Sequence, residues 1–69
     1  ANVQVGRLYE EGWGVEKNYD FAFQLYEQEA RRGSAEGMFR LGRMYNFGLG
    51  IEKNVSNALQ WYIKAIEMD

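Results

Sequence analysis

Apolar and small residues recur at helical spacing in four segments of this 69-residue chain. The pattern is clearest over residues 35–47, where Met38, Leu41 and Tyr45 are three and four residues apart and therefore share one helical face. The same spacing predicts three further helices, over about 1–11, 19–32 and 55–68. No segment sustains the alternation typical of a strand, so we predict an all-α chain with four helices.

Residues suited to helix ends stand between these segments. Asn18, Ser34 and Asn54 each precede a predicted helix, and their side-chain oxygens can accept a hydrogen bond from a free backbone N–H. Gly33 and Gly48 each follow a predicted helix, and glycine readily takes the left-handed conformation that ends many helices. The four helices are therefore predicted to form two hairpins joined by a tight turn.

The two hairpins are copies of one sequence. Residues 6–18 return as residues 42–54, at an offset of 36. From residue 6 onward this offset aligns 28 pairs, of which eleven are identical, and the identities include glycine, tyrosine and alanine positions. A fixed offset of this length is the signature of a stacked helical repeat. We predict one domain over 1–69, with repeats at about 1–33 and 34–69.

Small residues recur inside the predicted helices. Gly6 and Gly42 occupy helix interiors, where glycine costs about 1 kcal/mol relative to alanine. Their recurrence predicts a close approach by another helix, which Ala22 and Ala58 would permit from the second helix of each hairpin. Four tyrosines also recur in pairs. We expect each of them to fill a gap between helices and to donate its hydroxyl to a backbone carbonyl: Tyr9, Tyr26, Tyr45 and Tyr62.

The residue inventory argues against catalysis and against a metal or cofactor site. The chain has no His, Cys or Thr, and its two serines, Ser34 and Ser56, both fit the starts of helices. The adjacent acids Glu10 and Glu11 point in different directions from a helix, so we expect both to be solvated. The Gly-x-Gly loops follow helices rather than strands, which favours a structural turn over a phosphate loop. We predict that the chain is not an enzyme.

Charge and hydropathy argue against two further classes of partner. The net charge of −2 offers no electrostatic footprint for nucleic acid or for an anionic membrane. No apolar run approaches the roughly 18 residues needed to span a bilayer. Nothing in the sequence indicates a compartment. The repeat pattern is already under way at Ala1, so we expect the chain to be a piece of a longer array.

One predicted surface combines aromatic and cationic side chains. Phe39, Arg43 and Phe47 are spaced i, i+4, i+8 on the side of their helix opposite Leu41. Such a strip suits a peptide that carries apolar and acidic groups. The same face of the first repeat is mixed in charge, with Val3, Arg7, Glu10 and Glu11. We predict partner contacts at Phe39, Arg40, Arg43, Phe47 and Arg7. The alternative is that Phe39 simply packs on the first helix of a neighbouring repeat.

The last predicted helix is apolar where its earlier copy is polar. Ile63 stands at the position of Glu27, and Ile66 and Met68 follow it. A terminal repeat needs a polar outer face to stay soluble. This end is therefore predicted either to be covered by a further repeat or to support self-association.

These residues resemble the Sel1-like repeat, an αα-hairpin related to the tetratricopeptide repeat. The resemblance covers both copies and rests on Leu41-Gly42, Tyr45, Gly48-x-Gly50-Ile51, Asn54, Ala58, Trp61-Tyr62 and Ala65. A tetratricopeptide repeat has a period of about 34 residues and lacks the Gly-x-Gly loop. The chain departs from the family's pattern at five positions: Asn18 and Asn54 replace a frequent Asp, Leu25 a frequent Trp, Glu29 a small residue and Gly37 an Ala.

The resemblance implies a right-handed αα-solenoid, a superhelix built by stacking repeats. It also implies a non-enzymatic scaffold or adaptor that binds a protein or peptide on the concave side, which the first helices of the repeats form. A second hypothesis is an oligomerisation or regulatory segment of a larger protein, acting through the stacking of repeat ends.

Overall fold

The computed structural model describes residues 2–68, which fold into four helices. They are α1 (Asn2–Glu11), α2 (Tyr19–Arg31), α3 (Ala35–Phe47) and α4 (Val55–Met68). No strand is present within residues 2–68. Each helix packs along the next in chain order, so that two hairpins, α1–α2 and α3–α4, stack through α2 and α3. The predicted all-α fold of two helical-hairpin repeats is confirmed; the predicted helix start at Ala1 lies outside the described residues.

Three helices begin at the predicted capping residues. The side-chain oxygens of Asn18, Ser34 and Asn54 accept hydrogen bonds from the backbone N–H three residues further on, at 3.1, 3.1 and 3.0 Å. Each bond satisfies one of the N–H groups that the first turn of a helix leaves without an internal partner. The caps therefore determine where α2, α3 and α4 begin.

Left-handed glycines follow α2 and α3. α2 ends at Arg31, against a predicted end at about 32, because Arg32 serves as its C-cap and Gly33 turns the chain with φ +90°. α3 ends at Phe47, and Gly48 takes φ +66°. Positive φ is strained for any residue with a Cβ, so glycine is the residue these positions require.

The two Gly-x-Gly loops close in the same way. The Asn18 N–H donates to the Tyr9 carbonyl at 2.8 Å, and the Asn54 N–H donates to the Tyr45 carbonyl at 2.9 Å. Each capping residue is thus tied both to the helix before its loop and to the helix after it. The loop is a joint that sets the angle of each hairpin.

Close helix packing explains the glycines inside α1 and α3. A Cβ built on Gly42 would lie 2.8 Å from the Tyr62 ring and 3.2 Å from the Ala58 carbonyl oxygen. A Cβ on Gly6 would lie 2.7 Å from the Tyr26 ring. The expected close approach is confirmed in both hairpins.

The core lies mainly at the junction between the repeats. Its largest fully buried side chains are Tyr26 from α2 with Leu41 and Met44 from α3. Further buried residues complete the cluster: Val3, Ala22, Ala30, Met38 and Ala65. The counterparts of the three largest side chains in the other repeat, Tyr62, Val5 and Leu8, are not fully buried, so stacking of the repeats completes the burial of this part of the core.

Candidate interaction surface

Arg43 is held by a carboxylate from the first repeat. Its Nη1 atom lies 3.5 Å from Glu10 Oε2, and the other oxygen of Glu10 accepts a 2.7 Å hydrogen bond from the Tyr26 hydroxyl. Tyr26 is fully buried and Glu10 is 5% exposed, whereas the Arg43 side chain keeps 30% of its surface in solvent. The three side chains join α1, α2 and α3, so this ion pair positions Arg43 at the seam between the repeats.

The expectation that Glu10 is solvated is wrong. Within residues 2–68 it is the buried charged side chain, and it is buried because Tyr26 and Arg43 supply donors to both of its oxygens. The expectation for Tyr26 is also wrong in part, since its hydroxyl donates to a carboxylate rather than to a backbone carbonyl. A signal was present: Glu10 continues the face of Val3 and Gly6 at helical spacing.

Val3 does not belong to an open groove either. It is 4% exposed and forms part of the core, in contrast to the prediction that placed it beside Arg7 on a binding face. Glu11, its neighbour in that prediction, is exposed. The first repeat therefore presents Arg7 and Glu11 to solvent but withdraws Val3 and Glu10 into the interior.

Burial and the hydrogen bond to Glu10 raise the pKa of Tyr26 well above its usual value. The folded protein keeps this proton at a pH at which the unfolded chain releases it. Tyr26 therefore contributes stability that is present below the ordinary tyrosine pKa of about 10 and is lost as pH rises further.

We expect the urea-unfolding midpoint of the protein to fall on going from neutral pH to above about pH 10. Tyr26→Phe should be less stable at neutral pH but should show a shallower fall, because it has no proton to lose at this position. Lys17, whose pKa is also raised by its interaction with Tyr19, is the same in both proteins, so their difference isolates Tyr26. Parallel pH profiles would contradict this role.

Phe39, one helical turn before Arg43, contacts α4. Its ring centroid lies 5.5 Å from that of Tyr62, and 46% of its surface is exposed. It therefore contacts the second helix of its own hairpin. Together with five neighbours it lines an open apolar groove of about 440 Å³, here named the end groove: Ala35, Glu36, Phe39, Tyr62, Ala65 and Ile66.

The other predicted contact residues have separate surroundings. Phe47 is 61% exposed at the end of α3. The Arg40 Nη2 atom lies 4.0 Å from Glu36 Oε2, and the buried Arg40 Nε has no hydrogen-bond partner within the described part of the chain. The Arg7 guanidinium lies 6.0 Å from the centre of the Trp13 ring. Thus Arg43 lies at the seam, Phe39 in the end groove and Phe47 in solvent, while Arg7 pairs with its own loop.

Residues 2–68 contain neither a membrane-spanning helix nor a cluster of metal-ligating side chains. None of the helices in residues 2–68 combines the length and the apolar character that crossing a bilayer requires. Over the same residues, no three acidic side chains come together in a way that could hold a metal ion.

Two hairpins with equivalent caps, loops and helix crossings, stacked through a shared core, define an αα-hairpin repeat protein. The family model described as Sel1 repeat matches residues 1–34 and again residues 35–69. The chain therefore belongs to the Sel1 repeat family. Sel1 repeats are in general modules for protein–protein interaction, and proteins of the family are generally scaffolds without catalytic activity.

A solved structure agrees with this assignment. The crystal structure of a Sel1 repeat protein from Oxalobacter formigenes superposes with a TM-score of 0.92 at 45% sequence identity. The match covers 96% of this chain and 27% of that protein. A comparison with curated proteins found no match.

Proposed function

We propose that this pair of repeats binds a peptide segment of a partner protein along α3, through Arg43 and the aromatic side chains beside it. The supporting observation is the state of Arg43: one of its nitrogens contacts Glu10, while 30% of the side chain remains in solvent. A guanidinium has five N–H donors, so most of its hydrogen-bonding capacity is available. Exposed Phe39 and Phe47 lie one helical turn to either side.

The chemistry of this arrangement defines the peptide. An acidic side chain can form a charge-assisted hydrogen bond with Arg43, although it must compete with Glu10 for the same guanidinium. Apolar side chains spaced on either side of the acid can cover the exposed rings of Phe39 and Phe47. The proposed ligand is therefore a segment with an acidic residue flanked by apolar residues, and the module itself carries no catalytic activity.

The test is selection from a random peptide library, followed by titration calorimetry on the selected peptides. We expect acidic residues flanked by apolar ones among them. Arg43→Gln should weaken binding by about tenfold or more, since a hydrogen bond to a charged group contributes about 1.5–3 kcal/mol. Gln is preferred to Glu at this position because a second carboxylate beside Glu10 would be repulsive. Phe47→Ala should weaken binding several-fold.

Lys64→Glu is the matched control. Lys64 is an exposed cation on α4 whose amine lies 5.2 Å from the Trp61 ring centre. Its reversal changes net charge more than Arg43→Gln does, yet it should leave peptide affinity nearly unchanged. If Arg43→Gln and Phe47→Ala both fold and bind every selected peptide like the parent chain, the proposal is wrong.

A further inference from the structure

The surface of the first repeat that corresponds to the end groove is covered by α3. Subtracting 36 residues relates exposed side chains of the end groove to buried ones: Phe39, 46% exposed, corresponds to Val3 at 4%, and Ile66, 74% exposed, corresponds to Ala30 at 3%. α3 packs against the corresponding surface of the first repeat: a Cβ built on Gly37 would lie 3.0 Å from the Ala30 nitrogen. The end groove is thus the seat that α3 occupies, repeated 36 residues later and left open.

At the opposite end of the molecule, α1 exposes apolar residues whose counterparts in α3 are buried. In α3, Leu41 and Met44 are 1% and 0% exposed because they pack on α2. Their counterparts in α1, Val5 and Leu8, are each 39% exposed. Two loop residues extend this surface, here named the front face: Val5, Leu8, Trp13 and Val15.

The second glycine of each Gly-x-Gly loop shows the same difference in packing between the two repeats. A Cβ on Gly50 would lie 2.5 Å from the Tyr19 Cβ, so the start of α2 is packed against this loop. A Cβ on Gly14, the counterpart of Gly50, would meet no atom of residues 2–68 within 4 Å. Val55, the counterpart of Tyr19, is in turn 45% exposed at the start of α4. The two surfaces that meet between the repeats therefore each recur once in exposed form, as the end groove at one end of the molecule and the front face at the other.

We propose that a second copy of this chain docks head to tail, with its α1 in the end groove of the first copy as α3 is seated on the first repeat. The 36-residue relation then gives Val5 and Leu8 of one copy, beside α4 of the other, the positions that Leu41 and Met44 have in the core cluster between the repeats. The same relation brings Val55 to the partner's Gly14. It also places the partner's Arg7 against Asn46, the residue that replaces Glu10 at the second position of the repeat.

The distribution of charge agrees with this arrangement. Residues 1–36 carry seven acids and four bases, a net charge of −3, while residues 37–69 carry three acids and four bases, a net charge of +1. Head-to-tail docking brings opposite charges together, whereas pairing like ends opposes them.

The test begins with sedimentation equilibrium of the 69-residue chain. The weight-average mass should rise with concentration above the monomer value of 8.1 kDa and should not stop at a dimer, because a head-to-tail contact leaves one front face and one end groove free on every open assembly. Ile66→Glu and Leu8→Glu should each reduce self-association by at least about tenfold, since each places a charge on apolar surface that docking buries.

Mixing these two variants is the decisive measurement. Ile66→Glu keeps an intact front face and Leu8→Glu keeps an intact end groove, so an equimolar mixture should form a dimer that stops at two copies. Both residues are exposed in the monomer, so both variants are expected to fold, and circular dichroism is the check. If Leu8→Glu does not fold, Val5→Glu replaces it.

Ile63→Glu is the matched control, because its counterpart Glu27 is already a glutamate beside a stacked repeat and keeps 40% of its side chain exposed. It should self-associate like the parent chain. A parent chain that stays monomeric at the highest attainable concentration would overturn the proposal. So would continued dimerisation of Leu8→Glu alone, which indicates groove-to-groove pairing, or an equal loss in Ile63→Glu, which indicates non-specific hydrophobic contact.

Discussion

Tyr26→Ala is expected to be the most destabilising of the substitutions considered, lowering the free energy of unfolding by about 3–5 kcal/mol. Its ring is fully buried between the repeats and lies against Gly6, and its hydroxyl satisfies Glu10. Removing it leaves a cavity and a buried carboxylate that has lost one of its two donors. A 69-residue domain has a stability of only about 3–10 kcal/mol, so a large unfolded fraction is expected even without denaturant.

The measurement is urea unfolding followed by circular dichroism, with Tyr62→Ala as the matched control. Tyr62 is the counterpart of Tyr26 and makes the same approach to a glycine, here Gly42, but it is only half-buried and has no carboxylate partner among the described contacts. Its loss should cost about 1–2 kcal/mol. Equal losses at the two tyrosines would show that burial at the junction does not determine their contributions.

Gly37→Val is expected to destabilise the protein by about 1–3 kcal/mol through the contact between α2 and α3. A Cβ at this position would lie 2.9 Å from the Glu29 Cβ and 3.0 Å from the Ala30 nitrogen. The second of these is a backbone atom inside α2, so it cannot swing aside as a flexible side chain would. The two helices must separate, and that separation exposes the apolar surface between the repeats.

Glu36→Val is the control for this substitution. It places the same β-branched residue one position earlier in α3, at an exposed site, where the loss of a favourable acid at a helix start costs only about 0.3–1 kcal/mol. Equilibrium unfolding in urea gives both values. Helix propensity alone makes valine slightly better than glycine inside a helix, so a Gly37→Val protein as stable as the parent would show that packing against α2 is not close.

Local features of this fold were predictable because their causes are local. The bonds from Asn54 to its first turn and from Gly48 back into α3 join residues three or four positions apart, and the chemistry of those few residues determines them. The repeat added long-range information of one kind: it implied that Gly6 and Gly42 meet equivalent neighbours. Both predictions are confirmed for this reason.

What could not be predicted depends on contacts between the repeats. Glu10 receives its donors from residues 16 and 33 positions away, in α2 and α3, and nothing next to it in the sequence indicates either partner. The neighbours of the predicted strip of Phe39, Arg43 and Phe47 depend on contacts of the same kind. A helical projection places Phe39 and Arg43 on one side of α3, but it does not show that α4 takes up the first residue and α1 the second. The residues predicted for partner contacts remain a prediction.

The core shared by Tyr26, Leu41 and Met44 has a consequence for how this protein folds and how such proteins lengthen. These side chains come from both hairpins, and their counterparts Tyr62, Val5 and Leu8 are not fully buried, so neither hairpin completes this core without the other. The cooperative unit therefore includes the junction between two hairpins. Each further 36 residues add one hairpin and one junction. Duplicating one hairpin creates a new junction without altering the existing ones, which is a simple route by which a chain can grow while staying folded at every length.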